Sequence, residues 1–368
     1  MANIKPDLKF VKQIISAGGS SLKKCYQCAT CAVICKLSPD NNPFPRKEMI
    51  NAQWGLKDKL VSDPDIWLCH QCSDCTAYCP RGAKPGEVIG AIRKLTIAHY
   101  AFPKFLAMMV GQIKYLPLLI AFPVLVLLAV LGVSGHLNIP QGKIVFGHFL
   151  PHTLVDAIFL PIAILATLAF GIGVLRFWKD LHTQGENKCV GVGLIPSIIP
   201  VIIEILTHSR FNKCEVNKGR SLAHIGVLYG FIGLAITTAL AVFYLYILGQ
   251  HSPYPQLSPL KLIGNVSGVI LLVGISLMVI NRLKVKKQAS IGSYFDWLFI
   301  GVLYAVVLSG LLAEITRLAD MAILAYPIYF IHLVSVFFLF FYAPYSKLAH
   351  FVYRTIALVY ARQTRREE

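Results

Sequence analysis

The chain has 368 residues, of which 56% are hydrophobic and only 14% are charged, and its net charge is +17. Soluble domains contain about 25% charged residues, so this composition excludes an ordinary soluble globular protein. The basic residues form no stripe with interleaved aromatic side chains, so we do not expect nucleic acid as a partner. They lie near the amino terminus and in the loops between long apolar runs, which is the distribution of a membrane protein.

Eight of the ten cysteines form two copies of the spacing C-x2-C-x2-C-x3-C, both within the first eighty residues. This spacing is typical of chains that bind two [4Fe–4S] clusters, where the fourth cysteine of each copy ligates the other cluster. The predicted ligands of the first cluster are Cys25, Cys28, Cys31 and Cys79. The predicted ligands of the second cluster are Cys69, Cys72, Cys75 and Cys35.

Disulfides and zinc fit this pattern less well. Disulfides need an oxidising compartment, and residues 1–24 are polar and basic, unlike a secretory signal. Structural zinc sites use C-x2-C pairs and do not need further cysteines at these offsets. The first copy departs from the usual pattern in one respect, because Lys36 follows it where Pro80 follows the second copy. Cys189 and Cys214 are predicted to be small buried side chains.

The chain is predicted to contain four successive segments. Residues 1–84 form a small helical domain with the two clusters. Residues 85–112 form an amphipathic helical connector, which we expect to rest on lipid headgroups. Residues 113–350 form the transmembrane domain, and residues 351–368 form a basic cytoplasmic tail.

Six apolar runs are long enough to cross ~30 Å of hydrocarbon. They lie at about 114–134, 150–176, 221–248, 261–281, 293–314 and 323–345. Most basic residues outside the cysteine region follow the second, fourth and sixth runs, so both termini and the cysteine domain are predicted to be cytoplasmic, at the inner membrane. A shorter apolar stretch near 190–210 contains Pro196 and Pro200 and carries Glu204. We predict an interfacial helix there rather than a seventh span.

Histidines in or near the spans are candidate axial ligands of haem iron, because ionisable residues in a membrane are costly and usually functional. His332 and His350 are eighteen residues apart. On one continuous helix that separation is about 27 Å, which predicts one haem near each membrane surface. The predicted inner pair is His224 with His350, and the predicted outer pair is His332 with His152, or alternatively with His148. A hydrogen-bonded packing histidine is the alternative for each of them, and His208 receives no assigned role.

A quinone site is the least specific prediction. Glu314 and Arg317 lie between the fifth and sixth runs, on the outer side in this topology. They could relay protons released by a quinol, or they could be solvated loop charges. No nucleophile, nucleotide-binding loop or acid–base pair stands out in the cysteine domain, so the chain is predicted to carry electrons rather than to be a complete enzyme.

Two membrane segments resemble a known family. Residues 332–350 resemble the last haem-bearing helix of nitrate reductase gamma subunits and related di-haem b cytochromes, and residues 221–230 resemble the helix that supplies their facing ligands. In that family a second histidine follows ten residues later, where this chain has Leu234. The departure leaves His332 without its usual partner, which is why His152 or His148 is considered.

The cysteine domain resembles the C subunit of heterodisulfide reductase, and the membrane half is similar to that enzyme's cytochrome b subunit. Their fusion in one chain resembles the C subunits of quinone-interacting membrane-bound oxidoreductase (Qmo) complexes. This resemblance implies a mainly α fold, in which a helical ferredoxin-like domain with two [4Fe–4S] clusters precedes a six-helix cytochrome b bundle with one or two b haems.

The same resemblance implies a function in electron transfer. Electrons would pass between menaquinone and flavin- and iron–sulfur-containing cytoplasmic subunits like QmoA and QmoB, and indirectly to adenylylsulfate reductase. Two alternatives stay open. One is a heterodisulfide-reductase-type module that acts on a disulfide substrate, and the other is a structural anchor whose clusters brace a docking surface.

Overall fold

The computed structural model describes residues 5–184, 192–215, 220–284 and 292–366. Within these ranges every regular element is a helix, which confirms the predicted mainly α fold class. Cys189 lies outside the described residues, so its predicted burial is not addressed. Cys214 is buried, as expected.

The amino-terminal domain consists of seven helices packed around the longest of them. Its helices are α1 (Leu8–Ser16), α2 (Thr30–Val33), α3 (Arg46–Gln53), α4 (Lys57–Val61), α5 (Asp65–Leu68), α6 (Asp74–Ala77) and α7 (Pro85–Tyr100). Asp7 caps α1, because its side chain accepts a hydrogen bond from the backbone N–H of Phe10 at 2.9 Å. Pro85 occupies the first turn of α7, where its missing N–H costs nothing.

Helix α7 differs from the predicted connector. Its apolar residues Val88, Ile89 and Ile92 are fully buried, and the helix contacts α1, α3, α4, α5 and α6. A helix surrounded by protein cannot rest on lipid headgroups. The apolar positions at i, i+1 and i+4 therefore indicate the core of the amino-terminal domain rather than a membrane-facing stripe.

The membrane domain contains six helices long and apolar enough to cross a bilayer, as predicted. These candidate spans are Ile113–Val133, His152–Thr183, Arg220–Tyr246, Pro259–Lys284, Tyr294–Leu318 and Ala322–Phe341. The helices of this region are α8 (Lys104–Val110), α9 (Leu116–Val133), α10 (Phe146–Phe149), α11 (His152–Gln184), α12 (Leu194–Thr207), α13 (Arg220–Tyr246), α14 (Pro259–Lys284), α15 (Tyr294–Leu318), α16 (Ala322–Phe341) and α17 (Ala349–Gln363). Helices α13 to α16 pack in succession, and α9 and α11 pack against α16.

Helices α13 and α14 approach each other closely through small residues. A Cβ atom added at Gly274 would lie 2.8 Å from Val227 N, and one added at Gly230 would lie 2.7 Å from the Leu271 Cβ. Only glycine permits this backbone approach, which is a common way for membrane helices to associate. The contact fixes the depth and rotation of α13, the helix that carries His224.

Helix α12 is too short to span a bilayer and has two distinct faces. Ile195, Ile199 and Ile203 repeat every four residues and are exposed, whereas Ser197 and Val201 are buried. The helix contacts α17. An exposed apolar face on a short helix agrees with the predicted interfacial helix.

The carboxyl-terminal segment differs from the predicted continuous helix and basic tail. Helix α16 ends at Phe341, and a 3₁₀ turn at Ala343–Tyr345 separates it from α17. Pro344 lies in that turn, where it lacks an N–H group and disfavours helical geometry in the residue before it. The 27 Å spacing of His332 and His350 therefore does not apply, and most of residues 351–368 belongs to α17.

Helix α17 joins the two domains. It contacts α5 and α7 of the amino-terminal domain and α11 and α12 of the membrane domain. Tyr353 and Tyr360 are buried in these contacts, and Tyr353 stacks on Trp67 of α5 with ring centroids 5.5 Å apart. Beyond the helix, Arg366 donates two hydrogen bonds of 2.6 Å to the carboxylate of Asp65.

Candidate functional site

The two cysteine loops share an unusual backbone conformation. Gln27 and Gln71 occupy the third position of each loop, Ala29 and Ser73 occupy the fifth, and all four have positive φ, from 52° to 76°. Side chains other than glycine rarely adopt this region, at a cost of roughly 1–3 kcal/mol each. Its repetition at equivalent positions indicates that both loops are shaped for the same purpose.

This conformation turns backbone N–H groups toward sulfur. The N–H of Gln27 donates to the Sγ of Cys25 at 3.4 Å, and the N–H of Gln71 donates to the Sγ of Cys69 at 3.3 Å. Hydrogen bonds to the sulfurs are one means by which a protein tunes an iron–sulfur cluster. The loops therefore offer both the sulfur ligands and the donors that such a cluster uses.

The structure brings the predicted cysteines together across the two motifs. The wall of one cavity includes Cys35, Cys69, Cys72 and Cys75. Helix α2 contacts α6, which places the exit of each motif against the other loop. The cavity thus combines three cysteines of the second motif with the last cysteine of the first.

The thiols of the first predicted group also influence one another. Burial, together with the nearby thiols of Cys25, Cys28 and Cys79, raises the pKa of the Cys31 thiol to about 12. Burial and the thiols of Cys69 and Cys72 likewise raise the pKa of Cys35 to about 12. Buried sulfurs of this kind become thiolates when a bound metal supplies positive charge. Both sets are soft donors that fit iron–sulfur clusters, and ligation by each cysteine stays a prediction.

A cavity lies between the second cysteine loop and the membrane helices. It has two adjoining compartments, lined by side chains of α7, α12, α13, α15 and α17. Both compartments are bounded by His70, Phe211, His224, His350 and Arg354. Because His70 follows Cys69 directly, the wall of the cavity is continuous with the cysteine loop.

His350 is oriented by the backbone. Its Nδ1 hydrogen bonds to the carbonyl oxygen of Lys347. A carbonyl selects the tautomer with the proton on Nδ1, so Nε2 keeps its lone pair for a metal. A backbone hydrogen bond of this kind is typical of metal-binding histidines.

His224 is oriented by a second histidine. Its Nδ1 lies 2.8 Å from Nε2 of His208, and Nδ1 of His208 lies 3.5 Å from the carbonyl oxygen of Leu206. With both Nδ1 atoms protonated, each ring donates to the next acceptor and Nε2 of His224 remains free. Sequence reasoning assigned His208 no role, because a contact over sixteen residues leaves no local signal.

The cavity is strongly basic. Its cationic lining residues are Arg93, Lys94, Arg210, Arg220, Arg282, Lys347 and Arg354, and its acidic ones are Glu204 and Asp296. Arg354 donates to Nε2 of His70, so the His70 proton is on Nδ1. Within the described part of the chain, that Nδ1 and an Nη atom of Arg282 are buried and have no hydrogen-bond partner. Such donors fit an anionic group such as a carboxylate.

Pairing of His332 with His152 or His148 stays a prediction, and the described contacts of these rings are with other groups. Nδ1 of His332 lies 3.2 Å from Ser309 Oγ and 3.1 Å from the carbonyl oxygen of Val306, both on α15. The ring of His152 lies beside that of His251, with centroids 5.5 Å apart, and His148 is exposed.

Glu314 forms a compact ionic cluster. Its carboxylate lies 2.7 Å from the Lys261 ammonium group and 2.8 Å from the Arg317 guanidinium group. Gln256 donates to it at 2.6 Å. Both oxygens therefore hold cations, and these groups are mostly shielded from solvent rather than solvated loop charges.

Comparison with known proteins identifies two regions. Residues 21–83 match the 4Fe-4S dicluster domain, and residues 106–368 match the family described as Citrate utilization protein B. The Citrate utilization protein B of Escherichia coli is 27% identical over 321 residues, which cover 79% of this chain and 80% of that protein. No solved structure matches.

Relatives from heterodisulfide reductases match each half separately. The C subunit of the H(2):CoB-CoM heterodisulfide,ferredoxin reductase of Methanothermobacter marburgensis is 40% identical over 88 residues, 24% of this chain and 47% of that protein. The E subunit of the dihydromethanophenazine:CoB--CoM heterodisulfide reductase of Methanosarcina thermophila is 29% identical over 196 residues, 50% of this chain and 72% of that protein. The chain spans about half the length of the C-type relatives that it matches.

These matches confirm the predicted order of a heterodisulfide reductase C-like iron–sulfur domain followed by a membrane region similar to the E subunit. The six apolar helices and this relative indicate a multi-pass membrane protein. An iron–sulfur domain of this kind implies electron transfer. Because the family match extends over most of its length, the chain belongs to the Citrate utilization protein B family.

Proposed function

We propose that the chain is the membrane subunit of a quinone-linked oxidoreductase. It carries electrons between menaquinone in the bilayer and a cytoplasmic flavoprotein partner, by way of a b haem and two [4Fe–4S] clusters. The observation that carries the proposal is the cavity shared by His224, His350 and the residue that follows Cys69. One space thus borders both candidate haem ligands and the second cysteine loop.

The residues of this cavity fit a b haem. A b haem supplies one-electron chemistry when it is bound by two imidazoles. His224 and His350 would hold its iron through the free Nε2 atoms, and the buried cations would accept its carboxylates. A second haem at His332, with His152 or His148, stays a prediction.

The fold holds the candidate carriers in a fixed arrangement. His350 lies in the first turn of α17, and α17 packs along α5, which ends immediately before Cys69. Arg93 of α7 donates to the carbonyl oxygens of Cys69 and Ile66. The loop and the imidazole therefore share one rigid support, as efficient electron transfer requires.

The first cysteine loop offers a surface for a partner. Cys28 is exposed, and around it Tyr26, Val33 and Tyr78 are 67%, 87% and 50% exposed. Clustered apolar side chains in water are typical of protein–protein contact sites. We place this surface in the cytoplasm on the charge asymmetry of the loops, and flavin- and iron–sulfur-containing subunits like QmoA and QmoB would dock there.

Reduction by a quinol analogue tests the proposal. The purified full-length chain, mixed anaerobically with a menaquinol analogue, is expected to develop reduced haem α bands and the EPR signal of reduced clusters. A structural anchor would develop neither signal. Reduced haem with clusters that remain oxidised would contradict the proposed path.

The identity of the soluble partner is a separate question. The 40% identity of the cysteine domain to a heterodisulfide reductase subunit favours a disulfide-reducing complex as the second candidate. The match to Citrate utilization protein B covers far more of the chain than the match to the heterodisulfide reductase C subunit does. Proteins that copurify with the tagged chain distinguish these assemblies from one that serves adenylylsulfate reductase.

The ion pairs of Glu314 predict a structural role. We expect Glu314→Gln to leave quinol oxidation within about twofold and to lower the free energy of unfolding by about 1–3 kcal/mol, because Lys261 and Arg317 lose a shielded partner. Turnover with the quinol analogue and thermal unfolding in detergent measure the two effects. A loss of turnover above tenfold at unchanged stability would instead support proton relay at this site.

A further inference from the structure

Cys214 supplies an additional thiol to the second cysteine loop. It follows the 3₁₀ turn at Ser209–Lys213, shortly before α13, and is 5% exposed. The cavity contains five cysteines in its wall, namely Cys35, Cys69, Cys72, Cys75 and Cys214. A [4Fe–4S] cluster takes four protein ligands, so one of these thiols is in excess.

The excess thiol lies against one particular ligand. The Sγ atoms of Cys72 and Cys214 and a carboxylate oxygen of Asp74 are within 4.8 Å of one another. Iron–sulfur clusters select sulfur donors, so Cys214 rather than Asp74 is the candidate ligand. The Asp74 carboxylate accepts a hydrogen bond from the Glu215 backbone N–H at 3.1 Å. Cys214 is thus within reach of the iron assigned to Cys72.

Residues that follow Cys214 are attached to the cysteine loops. Glu215 pairs with Lys36, the residue at which the first motif departs from its usual pattern. Arg220 donates to the carbonyl oxygens of Gln71 and His70 at 2.7 and 3.2 Å. The exposed Lys36–Glu215 pair contributes little energy, but together these contacts hold the sulfur at the loop.

We propose that Cys214 is a reserve sulfur ligand of the second cluster, able to replace Cys72 on its iron. This inference rests on the cluster sites of the proposed function. The exchange needs no oxidant, since the Cys214 thiol gives its proton to Cys72 while one iron–sulfur bond forms and the other breaks. Cys28 is the counterpart of Cys72 in the first loop, and its Sγ atom instead lies 3.4 Å from the hydroxyl of Thr30.

Acid-labile sulfide in the full-length chain tests the inference, because haem contributes none. Two clusters contain eight sulfides, so the wild type and Cys214→Ala should give ~8 per chain. Cys72→Ala should also retain ~8, since Cys214 replaces the missing ligand. The double variant Cys72→Ala/Cys214→Ala should fall to ~4, as should the matched control Cys28→Ala.

The outcomes separate the inference from the proposed function. A value near four for Cys72→Ala alone would overturn the reserve ligand, whereas a wild-type value well below eight would overturn the clusters themselves. If Cys72→Ala does not give folded protein, the EPR spectrum of reduced Cys214→Ala, compared with that of the wild type, tests the inference instead. A changed signal of one cluster supports contact with Cys214, and a spectrum identical to the wild type contradicts it.

Discussion

Replacement of His350 by alanine is expected to remove the inner b haem from the purified chain and to leave ~8 acid-labile sulfides in place. His350 offers a free Nε2 to the cavity and its Nδ1 is fixed by the Lys347 carbonyl, so alanine removes an oriented axial ligand. His224→Ala should have the same effect. The haem-to-protein absorbance ratio measures the loss, and quinol reduction of the clusters should be lost with the haem.

Variants of His208 should lose less haem than variants of His224 and His350. Because it positions the ring of His224 rather than facing the iron, His208→Ala should weaken haem retention about 10–100-fold, and His208→Gln should weaken it less. His182→Ala is the matched control, since that ring contacts Trp178 and Tyr360 outside the cavity. Full haem content in both His350→Ala and His224→Ala would refute the assigned ligands.

The second large effect concerns the contact between the carboxyl terminus and the amino-terminal domain. Asp65 is fully buried and receives both Arg366 and Lys47, whose ammonium group lies 2.9 Å away. Asp65→Asn leaves two cations near each other without their shared carboxylate. Removal of one partner from a buried ionic network costs about 3–5 kcal/mol. Urea unfolding in detergent, followed by far-ultraviolet circular dichroism, measures this loss.

Glu48 is the matched control, for which we expect the free energy of unfolding to change in the opposite direction. It is fully buried, neither of its oxygens accepts a hydrogen bond among the described residues, and the Lys47 ammonium group lies 3.5 Å away. Burial and the nearby carboxylates of Asp63 and Asp65 raise the pKa of Glu48 well above its usual value. Between the unfolded pKa of about 4.3 and this raised value, the folded state binds the extra proton, so stability falls as the pH rises.

Glu48→Gln removes the carboxyl group that causes this loss of stability at higher pH. The variant should equal or exceed the wild type in free energy of unfolding at pH 7, and the difference should shrink toward pH 4. A decrease for Glu48→Gln as large as that for Asp65→Asn would show that burial alone, rather than the charge pairing of Asp65, determines both results.

Local patterns in the sequence predicted much of this fold. The cysteine spacing specifies a loop geometry by itself, and the positive φ angles at Gln27 and Gln71 repeat as the motif repeats. Six spans follow from apolar length alone. The position of Cys35 beside the second loop follows from the motif, in which the fourth cysteine ligates the other cluster.

Contacts between distant segments could not be predicted from local sequence patterns. Pro344 interrupts the terminal helix, and hydropathy does not distinguish such a turn from a span's end. The apolar stripe of α7 fits a protein core as well as a lipid surface. Cys214 and His208 acquire their partners only when the segment before α13 folds onto the cysteine loop.

The direct test of the central claim is the near-infrared magnetic circular dichroism of the oxidised full-length chain, which identifies the axial ligands of a low-spin haem. The account predicts the charge-transfer band of a haem bound by two neutral histidines, lost in His224→Ala and in His350→Ala. A band from a different ligand pair, or no haem band in protein that retains its iron–sulfur clusters, would contradict it.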